Sequence, residues 1–261
     1  MNALHLKAHA KINLDLRVLR KREDGFHELT TRMAPIELAD ELVVRPSDRY
    51  ELLCETPGVP TDESNLITRA VRLLENELGA KLNYQIELIK HIPHGAGLGG
   101  GSADAAVILS KLNARHGSPL PLEKLSELAA ELGSDVPFFL HGCICDCSGR
   151  GESIVPRPEL KPDLALLLLK PDFGVSTPDA YKRWQGSKEL PSVPYGPQSV
   201  AGIEMVNDLE RPVFEKHRFL AETKLWLLGR PEVSAAMMSG SGSTMIAVLE
   251  DPNHADQVVQ A

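Results

Sequence analysis

The stretch Pro93-His-Gly-Ala-Gly-Leu-Gly-Gly-Gly-Ser-Ala103 is the densest run of glycine in the chain. Five of the seven residues from 95 to 101 are glycine, which costs backbone entropy unless a ligand must approach the main chain closely. Successive N–H groups of such a loop can point inward at an anion, and the helix predicted from about Ser102 would add its positive N-terminal end. The loop therefore predicts a phosphate cradle rather than a flexible turn.

Three better-known nucleotide-binding or kinase motifs have partial matches in this chain. For each motif, a second feature that the motif requires is absent. Residues 95–100 match the dinucleotide fingerprint, but the acidic residue that should end a second strand is missing, since residues 118–121 form a loop pattern. A Walker A loop needs a lysine where Gly101 stands. Asp172-Phe-Gly174 spells the metal triplet of protein kinases, but no His-Arg-Asp segment precedes it.

Composition limits the classes of function. The chain has 261 residues, 43% of them apolar and 25% charged, which is ordinary for one large domain or two modest ones. A net charge of −8 argues against nucleic-acid binding but permits a local basic pocket for a small anion. The N-terminus carries charges where a signal peptide needs an apolar stretch, and the longest apolar run, 164–169, is too short to span a bilayer. We expect a cytoplasmic protein without nucleic-acid or membrane partners.

Arg17 and residues 20–22 form a basic run that permits two interpretations. Charge alone does not favour one over the other. It could line a pocket for an anion, or it could form a solvated turn whose charge Glu23 and Asp24 offset.

The three closely spaced cysteines Cys143, Cys145 and Cys147 suggest a metal site at first sight. Their period-two spacing instead places them on one face of a strand, whereas structural zinc prefers CxxC pairs with further ligands. We expect a buried strand face in a reducing compartment.

Hydrophobic periodicity predicts interleaved helices and strands, and hence an α+β fold in two lobes. Strands are predicted over 4–19, 41–45, 50–54, 84–89 and 164–169, and helices over 66–78, 102–116 and 122–132. Ser64 is the predicted N-cap of the first helix and Gly79 its end. The proline-rich stretch 155–162 predicts a boundary between domains 1–155 and 156–261.

The glycine loop without a lysine, ending Gly-Gly-Gly-Ser at a helix start, resembles the middle motif of the GHMP kinase family. Residues 8–14 resemble that family's first motif and residues 238–244 its glycine-rich third motif, in the same order along the chain. The resemblance implies an ATP-dependent small-molecule kinase that uses Mg²⁺ and is a monomer or weak homodimer. It also implies a two-lobed fold, with residues 1–155 similar to ribosomal protein S5 domain 2 and residues 156–261 ferredoxin-like.

Within the family, residues 10–18 and 21–29 resemble the members that act on a cytidine diphosphate-linked polyol. The resemblance implies phosphorylation of the 2-hydroxyl of the methylerythritol part, in non-mevalonate isoprenoid precursor synthesis. A homoserine- or mevalonate-type kinase with the same ATP site is the alternative, and a non-catalytic nucleotide sensor is a second one. Departures from the family pattern are His94 for the usual methionine, Phe26 for the commoner tyrosine, and only residues 252–261 where a further helix and strand are expected.

The resemblance assigns the catalytic roles to Lys11 and Asp135. Asp135 would be the base for the hydroxyl proton, and Lys11 would pair with it and stabilise charge on the transferring phosphoryl group. Without the resemblance, Asp135 would be an ordinary turn residue before Pro137, and Lys11 a solvated strand lysine.

The same resemblance assigns the ligand contacts. Ser102 would touch Mg²⁺, although capping the helix alone is sufficient reason for a serine there. The implied ATP-binding residues are Asn65, Pro93, His94, Gly95, Ala96, Gly97, Leu98, Gly99, Gly100, Gly101, Ser102 and Ala103.

On the substrate side, Phe26 and Tyr181 would sandwich the cytosine ring, while His27 would hydrogen-bond its polar edge. Asn13 would contact the polyol hydroxyls and Lys90 the nucleotide or the diphosphate. The third-motif loop would add the substrate contacts of Gly240, Ser241 and Gly242.

Overall fold

A computed structural model describes residues 2–260. The chain forms two compact units that are both discontinuous in sequence. The first comprises the chain up to residue 11 with 35–94 and 99–143, and the second comprises 12–34, 95–98 and the chain from residue 144 onward. The predicted boundary between residues 155 and 156 stays a prediction, because the two units interleave along the chain.

The strands are β1 (Leu4–Lys21), β2 (His27–Pro46), β3 (Glu51–Leu53), β4 (Tyr84–Ile89), β5 (Cys145–Gly149), β6 (Ser153–Pro156), β7 (Ala165–Leu169), β8 (Gln198–Val200), β9 (Ile203–Asn207), β10 (Val233–Met238) and β11 (Met245–Leu249). The α-helices are α1 (Leu66–Leu78), α2 (Gly100–Arg115), α3 (Leu122–Leu132), α4 (Thr177–Trp184), α5 (Glu210–Lys216), α6 (Arg218–Leu228) and α7 (Ala255–Val259). Short 3₁₀ helices cover Pro137–Leu140 and Pro252–His254.

In the first unit, helices α1, α2 and α3 pack together and share a hydrophobic core with β3, β4 and the end of β2. The C-terminal half of β2 pairs antiparallel with β4, and β3 pairs parallel with β4. The apolar stripe of α1 is buried as its periodicity predicts, because Ile67, Val71 and Leu74 all face the core. The start of α2 and the turn after α3 both belong to this unit.

The N-cap of α1 corrects the sequence prediction. Asn65, not Ser64, caps the helix: the Asn65 side chain accepts a hydrogen bond of 2.8 Å from the N–H of Ile67. The Ser64 hydroxyl donates instead to Asp62, at 2.6 Å. The predicted end is confirmed, since Gly79 has the left-handed conformation that terminates helices.

The second unit contains a three-stranded antiparallel sheet in the order β10-β11-β7, with α4, α5 and α6 around its core. In the same unit β1 pairs parallel with β9, and the first half of β2 pairs antiparallel with β5. A fully buried ion pair lies in this unit, with Lys224 Nζ 2.6 Å from Glu210 Oε2. Glu210 also accepts a hydrogen bond from the N–H of Met238, directly before the second glycine-rich loop.

Most predicted elements are confirmed, with shifted ends. Helix α2 begins at Gly100 rather than Ser102, and the predicted strand 41–45 is only the last part of the long β2. The cysteine prediction holds in part: Cys145 and Cys147 are buried on one face of β5, whereas Cys143 precedes the strand and is half-buried.

Residues 2–260 contain no cluster of three or more His, Cys, Asp or Glu side chains placed to hold a metal ion. None of their helices has the length and apolar character needed to cross a bilayer.

Candidate active site

The glycine loop packs against the Lys11 side chain at the point where the loop leads into α2. Gly99 is the N-cap residue of α2 and has a positive φ of 72°. A Cβ atom at Gly99 would meet the Phe139 ring at 2.7 Å and the Lys11 stem at 3.1 Å. Any larger residue would therefore force the loop, the Phe139 ring or the Lys11 stem to shift. The first N–H groups of α2 lack intrahelical partners, as in every helix, and are donors for an anion.

Lys11 and Asp135 form an ion pair below this loop. The Lys11 Nζ lies 3.4 Å from Asp135 Oδ2. The Lys11 side chain is 5% exposed, so the solvated-lysine interpretation is wrong, whereas the Asp135 side chain is 41% exposed and accessible to a ligand. Asp135 lies in the turn between α3 and the 3₁₀ helix at 137–140. The loop, the cation and the carboxylate thus meet within the first unit.

Lys90 is held between two buried carboxylates rather than presented to solvent. Its Nζ pairs with Asp40 and lies 2.9 Å from Asp104 Oδ2, and all three side chains are at most 8% exposed. Asp40 also accepts hydrogen bonds from the N–H groups of His91 and Ile92, at 2.6 and 2.8 Å. Because Asp104 is on α2, this cluster ties the segment before the glycine loop to the helix after it.

Burial, and then the excess of one carboxylate over the single cation, shift the titration of this cluster. Burial raises the pKa of the Asp104 carboxyl to about 7; the charge of Lys90 works against the shift and the charge of Asp40 adds to it. Burial alone would lower the pKa of Lys90, but the two carboxylates outweigh it and the pKa rises.

The second glycine-rich loop meets residues 95–98 within the second unit. The Ser239 hydroxyl donates to the carbonyl oxygen of Gly97 at 3.2 Å, and the N–H of Thr244 donates to that of Ala96 at 3.4 Å. A Cβ at Gly97 would lie 2.5 Å from the Ser239 carbonyl oxygen, so this close approach requires glycine. The side-chain amide of Asn207 stabilises the second loop, because its Nδ2 donates to the carbonyl oxygens of Met238 and Gly240, both at 2.7 Å.

Ser241 and Gly242 are the two other residues of this loop that the resemblance assigns to substrate binding. The Ser241 hydroxyl is 2.7 Å from the hydroxyl of Thr177, at the start of α4. Gly242 has a positive φ of 88°, and a Cβ there would lie 2.8 Å from the Met238 sulfur. The Asp172-Phe-Gly174 triplet has a bracing role, because the Phe173 carbonyl oxygen accepts a hydrogen bond of 2.5 Å from Ser243.

Three aromatic side chains cluster in the second unit. The His27 ring stacks on Tyr181, with centroids 5.3 Å apart, and meets Trp184 edge-on at 6.1 Å. Burial, together with the charge of Lys21, lowers the pKa of His27. At neutral pH its ring therefore has one N–H donor and one acceptor nitrogen, which suits the amide-like edge of a base.

Phe26 is the exposed aromatic of the turn between β1 and β2. Its ring is 53% exposed and lies 4.8 Å from the Arg150 guanidinium. Arg22 of the same turn pairs with Asp24 at 3.0 Å and with Glu28 at 3.1 Å, which favours the solvated-turn interpretation of that arginine.

Asn13 is buried on β1, in the second unit. Its Nδ2 donates to the Thr31 hydroxyl at 2.8 Å, and that hydroxyl donates to the Asp15 carbonyl oxygen at 2.5 Å. Asn65, the other predicted ligand amide, uses its side chain to cap α1 and to donate to the Pro60 carbonyl oxygen at 2.6 Å.

Sequence reasoning missed the residues that brace the site: Asp40, Asp104, Asn207 and Thr31. Only Asp104 is marked by a local pattern. It is an acidic residue in the alanine-rich start of α2, and an aspartate is usually exposed to solvent. The other three residues contact segments far away in the sequence, as Asp40 does with Lys90. No local sequence pattern predicts such contacts.

Comparisons with known proteins identify the family of this chain. The model for the GHMP kinases N terminal domain matches residues 65–143, and that for the GHMP kinases C terminal matches residues 199–261. A curated 4-diphosphocytidyl-2-C-methyl-D-erythritol kinase from Methylacidiphilum infernorum is 41% identical over 265 residues, covering 99% of this chain and 91% of its own. The chain belongs to the GHMP kinase family.

Solved structures support the family's mixed α/β two-domain fold. A crystal structure of 4-(cytidine 5'-diphospho)-2C-methyl-D-erythritol kinase has a TM-score of 0.81 at 34% identity, covering 98% of this chain and 94% of its own. A homoserine kinase from Cytophaga hutchinsonii has a TM-score of 0.66 at 19% identity, covering 100% and 89%, which supports the fold alone.

The stability that the Lys90 cluster contributes depends on pH. Because the folded-state pKa of Asp104 lies above its ordinary value of 3.8, the folded state holds this proton more tightly than the unfolded state. The associated stability is complete below about pH 4 and is lost as the pH rises through about 7. Asp104→Asn removes that loss, so its free energy of unfolding should rise relative to wild type by up to about 1.4 kcal/mol per pH unit in this window.

Urea denaturation between pH 4.5 and 8 measures this difference. Asp48→Asn, at an exposed position of the same unit, is the control for removal of an acidic charge. A stability difference between Asp104→Asn and wild type that stays constant over this range would contradict the assignment.

Proposed function

We propose that this chain is an ATP-dependent kinase that phosphorylates the 2-hydroxyl of 4-(cytidine 5'-diphospho)-2-C-methyl-D-erythritol, in non-mevalonate isoprenoid precursor synthesis. One observation carries the proposal: the glycine loop lies on Lys11, whose ammonium pairs with Asp135, in a chain similar over nearly its full length to kinases of that name. The homoserine- and mevalonate-type alternatives share the ATP site, but two homoserine kinase structures and two mevalonate kinase structures with a similar fold are only 9–19% identical to this chain.

ATP binds through residues 93–103 in this proposal. The glycines leave the main chain open to phosphate oxygens, and the N–H groups at the start of α2 donate to them. The buried cluster of Lys90, Asp40 and Asp104 holds both ends of the loop, so the amides are already placed before ATP arrives. Asn65 contributes near the adenosine through its main chain, since its side chain caps α1.

Phosphoryl transfer then needs a base and a cation at the reacting atoms. The hydroxyl oxygen of the substrate attacks the γ-phosphorus in line, its proton passes to Asp135, and ADP departs with the bridging oxygen. Lys11 is fixed by burial and by Gly99 above its stem, so its ammonium stabilises the charge on the transferring group without reorganisation.

The residues present are compatible with a Mg²⁺ ion that arrives with ATP. Such an ion keeps several water ligands and binds mainly through phosphate oxygens, so few protein donors are needed. Ser102, half-buried in the first turn of α2, is the hydroxyl that we assign to it. The ion would neutralise charge on the phosphates.

The cytidine end is assigned to the second unit. Phe26 and Tyr181 bind the base by stacking and His27 hydrogen-bonds its edge, while Asn13 contacts the polyol. Gly240, Ser241 and Gly242 contribute from the braced loop. Lys90 acts through the loop that it anchors rather than on the nucleotide, because two carboxylates surround its ammonium. Cytoplasmic location and a monomeric or weakly dimeric state stay predictions.

Turnover with defined alcohols tests the proposal directly. A coupled assay for ADP should report activity with the cytidyl substrate and at least about tenfold lower kcat/KM with the uncytidylylated polyol phosphate, since loss of base stacking removes about 1–3 kcal/mol per ring face. Preferential phosphorylation of homoserine or mevalonate would assign the chain to the alternative.

Replacing the base isolates the chemical step. Asp135→Ala should lower kcat by at least about 10² while ATP binding stays nearly intact, because the carboxylate acts on the hydroxyl proton and not on the triphosphate. Single-turnover kinetics and ATP titration separate the two quantities. Retained turnover would remove Asp135 from the mechanism.

Removing the exposed ring tests the stacking assignment. Phe26→Ala should raise KM for the cytidyl substrate about tenfold or more and leave KM for ATP within about twofold. Phe219→Ala is a matched control, because that ring is similarly exposed (57%) and has no assigned role. Equal changes in both Michaelis constants would contradict the assignment.

A further inference from the structure

The outer edge of β10 is closed by side chains. This strand lies at one edge of the three-stranded sheet, so alternate residues turn their N–H and C=O groups away from β11. At Ala236 both groups bond to the Gln198 amide: the N–H donates to Oε1 at 3.0 Å, and the carbonyl oxygen accepts from Nε2 at 2.9 Å. Ala236 is buried, so its main-chain groups need such partners.

At Met238, the last residue of β10, two side chains from the connection between β9 and α5 have the same role. Glu210 Oε1 accepts a hydrogen bond of 2.8 Å from the N–H of Met238, and Asn207 Nδ2 donates to the Met238 carbonyl oxygen at 2.7 Å. The Asn207 amide also donates to the carbonyl oxygen of Gly240 at 2.7 Å. Because Met238 directly precedes the second glycine-rich loop, these bonds fix the point at which the loop leaves the sheet.

Lys224 of α6 holds the Glu210 carboxylate in place. Its Nζ donates to Glu210 Oε2 and to the Pro194 carbonyl oxygen, both at 2.6 Å. The side chains of the ion pair are each 1% exposed. Burial raises the pKa of the Glu210 carboxyl, and the charge of Lys224 and the N–H of Met238 act against that shift. Each carboxylate oxygen thus has its own partner: one bonds the cation, and the other bonds the main chain before the loop.

We propose that Glu210, oriented by Lys224, is a positioning residue that fixes the second glycine-rich loop for substrate binding. This inference rests on the proposed function, which assigns residues 240–242 to the substrate. Because the carboxylate is buried, it acts through the main chain of Met238 and not on the ligand. Without this acceptor the Met238 N–H would be unpaired inside the protein, and rotation of that peptide group toward another acceptor would displace the loop.

Two double variants of the full-length protein isolate the hydrogen bond to Met238. Removing one partner of a buried ion pair leaves the other charge uncompensated, so both residues are replaced together. Glu210→Gln with Lys224→Met keeps an oxygen that can accept from the Met238 N–H, whereas Glu210→Met with Lys224→Met has a similar volume and no acceptor. The second variant should have a KM for the cytidyl substrate at least about tenfold above the first, equivalent to about 1.4 kcal/mol. KM for ATP should rise less, because the N–H donors at the start of α2 belong to the other unit.

Urea denaturation separates positioning from a general loss of stability. The kinetics are measured well below the unfolding transition, where nearly all molecules are folded and a lower stability alone leaves KM unchanged. Gln198→Met is the matched control, because it removes two hydrogen bonds from the same edge of β10, two residues before Met238. It should lower the urea midpoint and leave both Michaelis constants within about twofold of wild type. If Glu210→Met with Lys224→Met does not fold, Glu210→Asp, which keeps the charge and withdraws the carboxylate by one methylene, replaces it and should raise the same KM.

The outcomes distinguish this inference from the proposed function. No turnover of the cytidyl substrate by wild type would overturn the proposed function. Wild-type turnover with the same KM for the cytidyl substrate in both double variants, or with an equal increase in Gln198→Met, would overturn the role of Glu210 and leave the proposed function standing.

Discussion

The contact between Gly99 and Lys11 is the constraint on which the rest of the site depends. A lysine ammonium is expensive to bury, and here Asp135 compensates it on one side. The absent side chain at position 99, the N-cap of α2, lets the loop pack against the lysine stem. In the proposed function, the lysine ammonium and the positive end of α2 both act on the triphosphate.

A second buried cluster keeps that loop in place. Lys90 and its two carboxylates connect the residues before the loop with Asp104 of α2, so a segment rich in glycine, and flexible by composition, is fixed at both ends. The cost of this arrangement is an excess buried carboxyl, Asp104, whose raised pKa places its titration near neutral pH. The loop thus combines an open main chain with a rigid frame, which is the preorganisation that electrostatic catalysis needs.

Local sequence patterns predicted much of this account, and long-range contacts supplied the remainder. Periodicity found α1 and α3 at their observed bounds, and the motif resemblance placed Lys11, Asp135 and the loop in one reaction. It could not show that Lys11 is buried, because a single lysine in a strand reads as solvated whether or not a carboxylate far along the chain meets it.

The errors have local causes. Asn65 took the capping role predicted for Ser64 because the two adjacent polar residues are both good caps, and the neighbouring Asp62 captured the serine hydroxyl. Cys143 fell outside β5 because the strand starts later than the alternating pattern suggests. Asp40 and Thr31 act on partners from other segments, Lys90 and Asn13, and only the folded chain identifies them.

A crystal structure with a non-hydrolysable ATP analogue and the cytidyl substrate tests the central claim most directly. The account predicts phosphate oxygens on the main-chain N–H groups at the start of α2, the Lys11 ammonium beside the terminal phosphate, and the Asp135 carboxylate within about 3 Å of the acceptor hydroxyl. A triphosphate bound away from α2, or Asp135 remote from the terminal phosphorus, would contradict it.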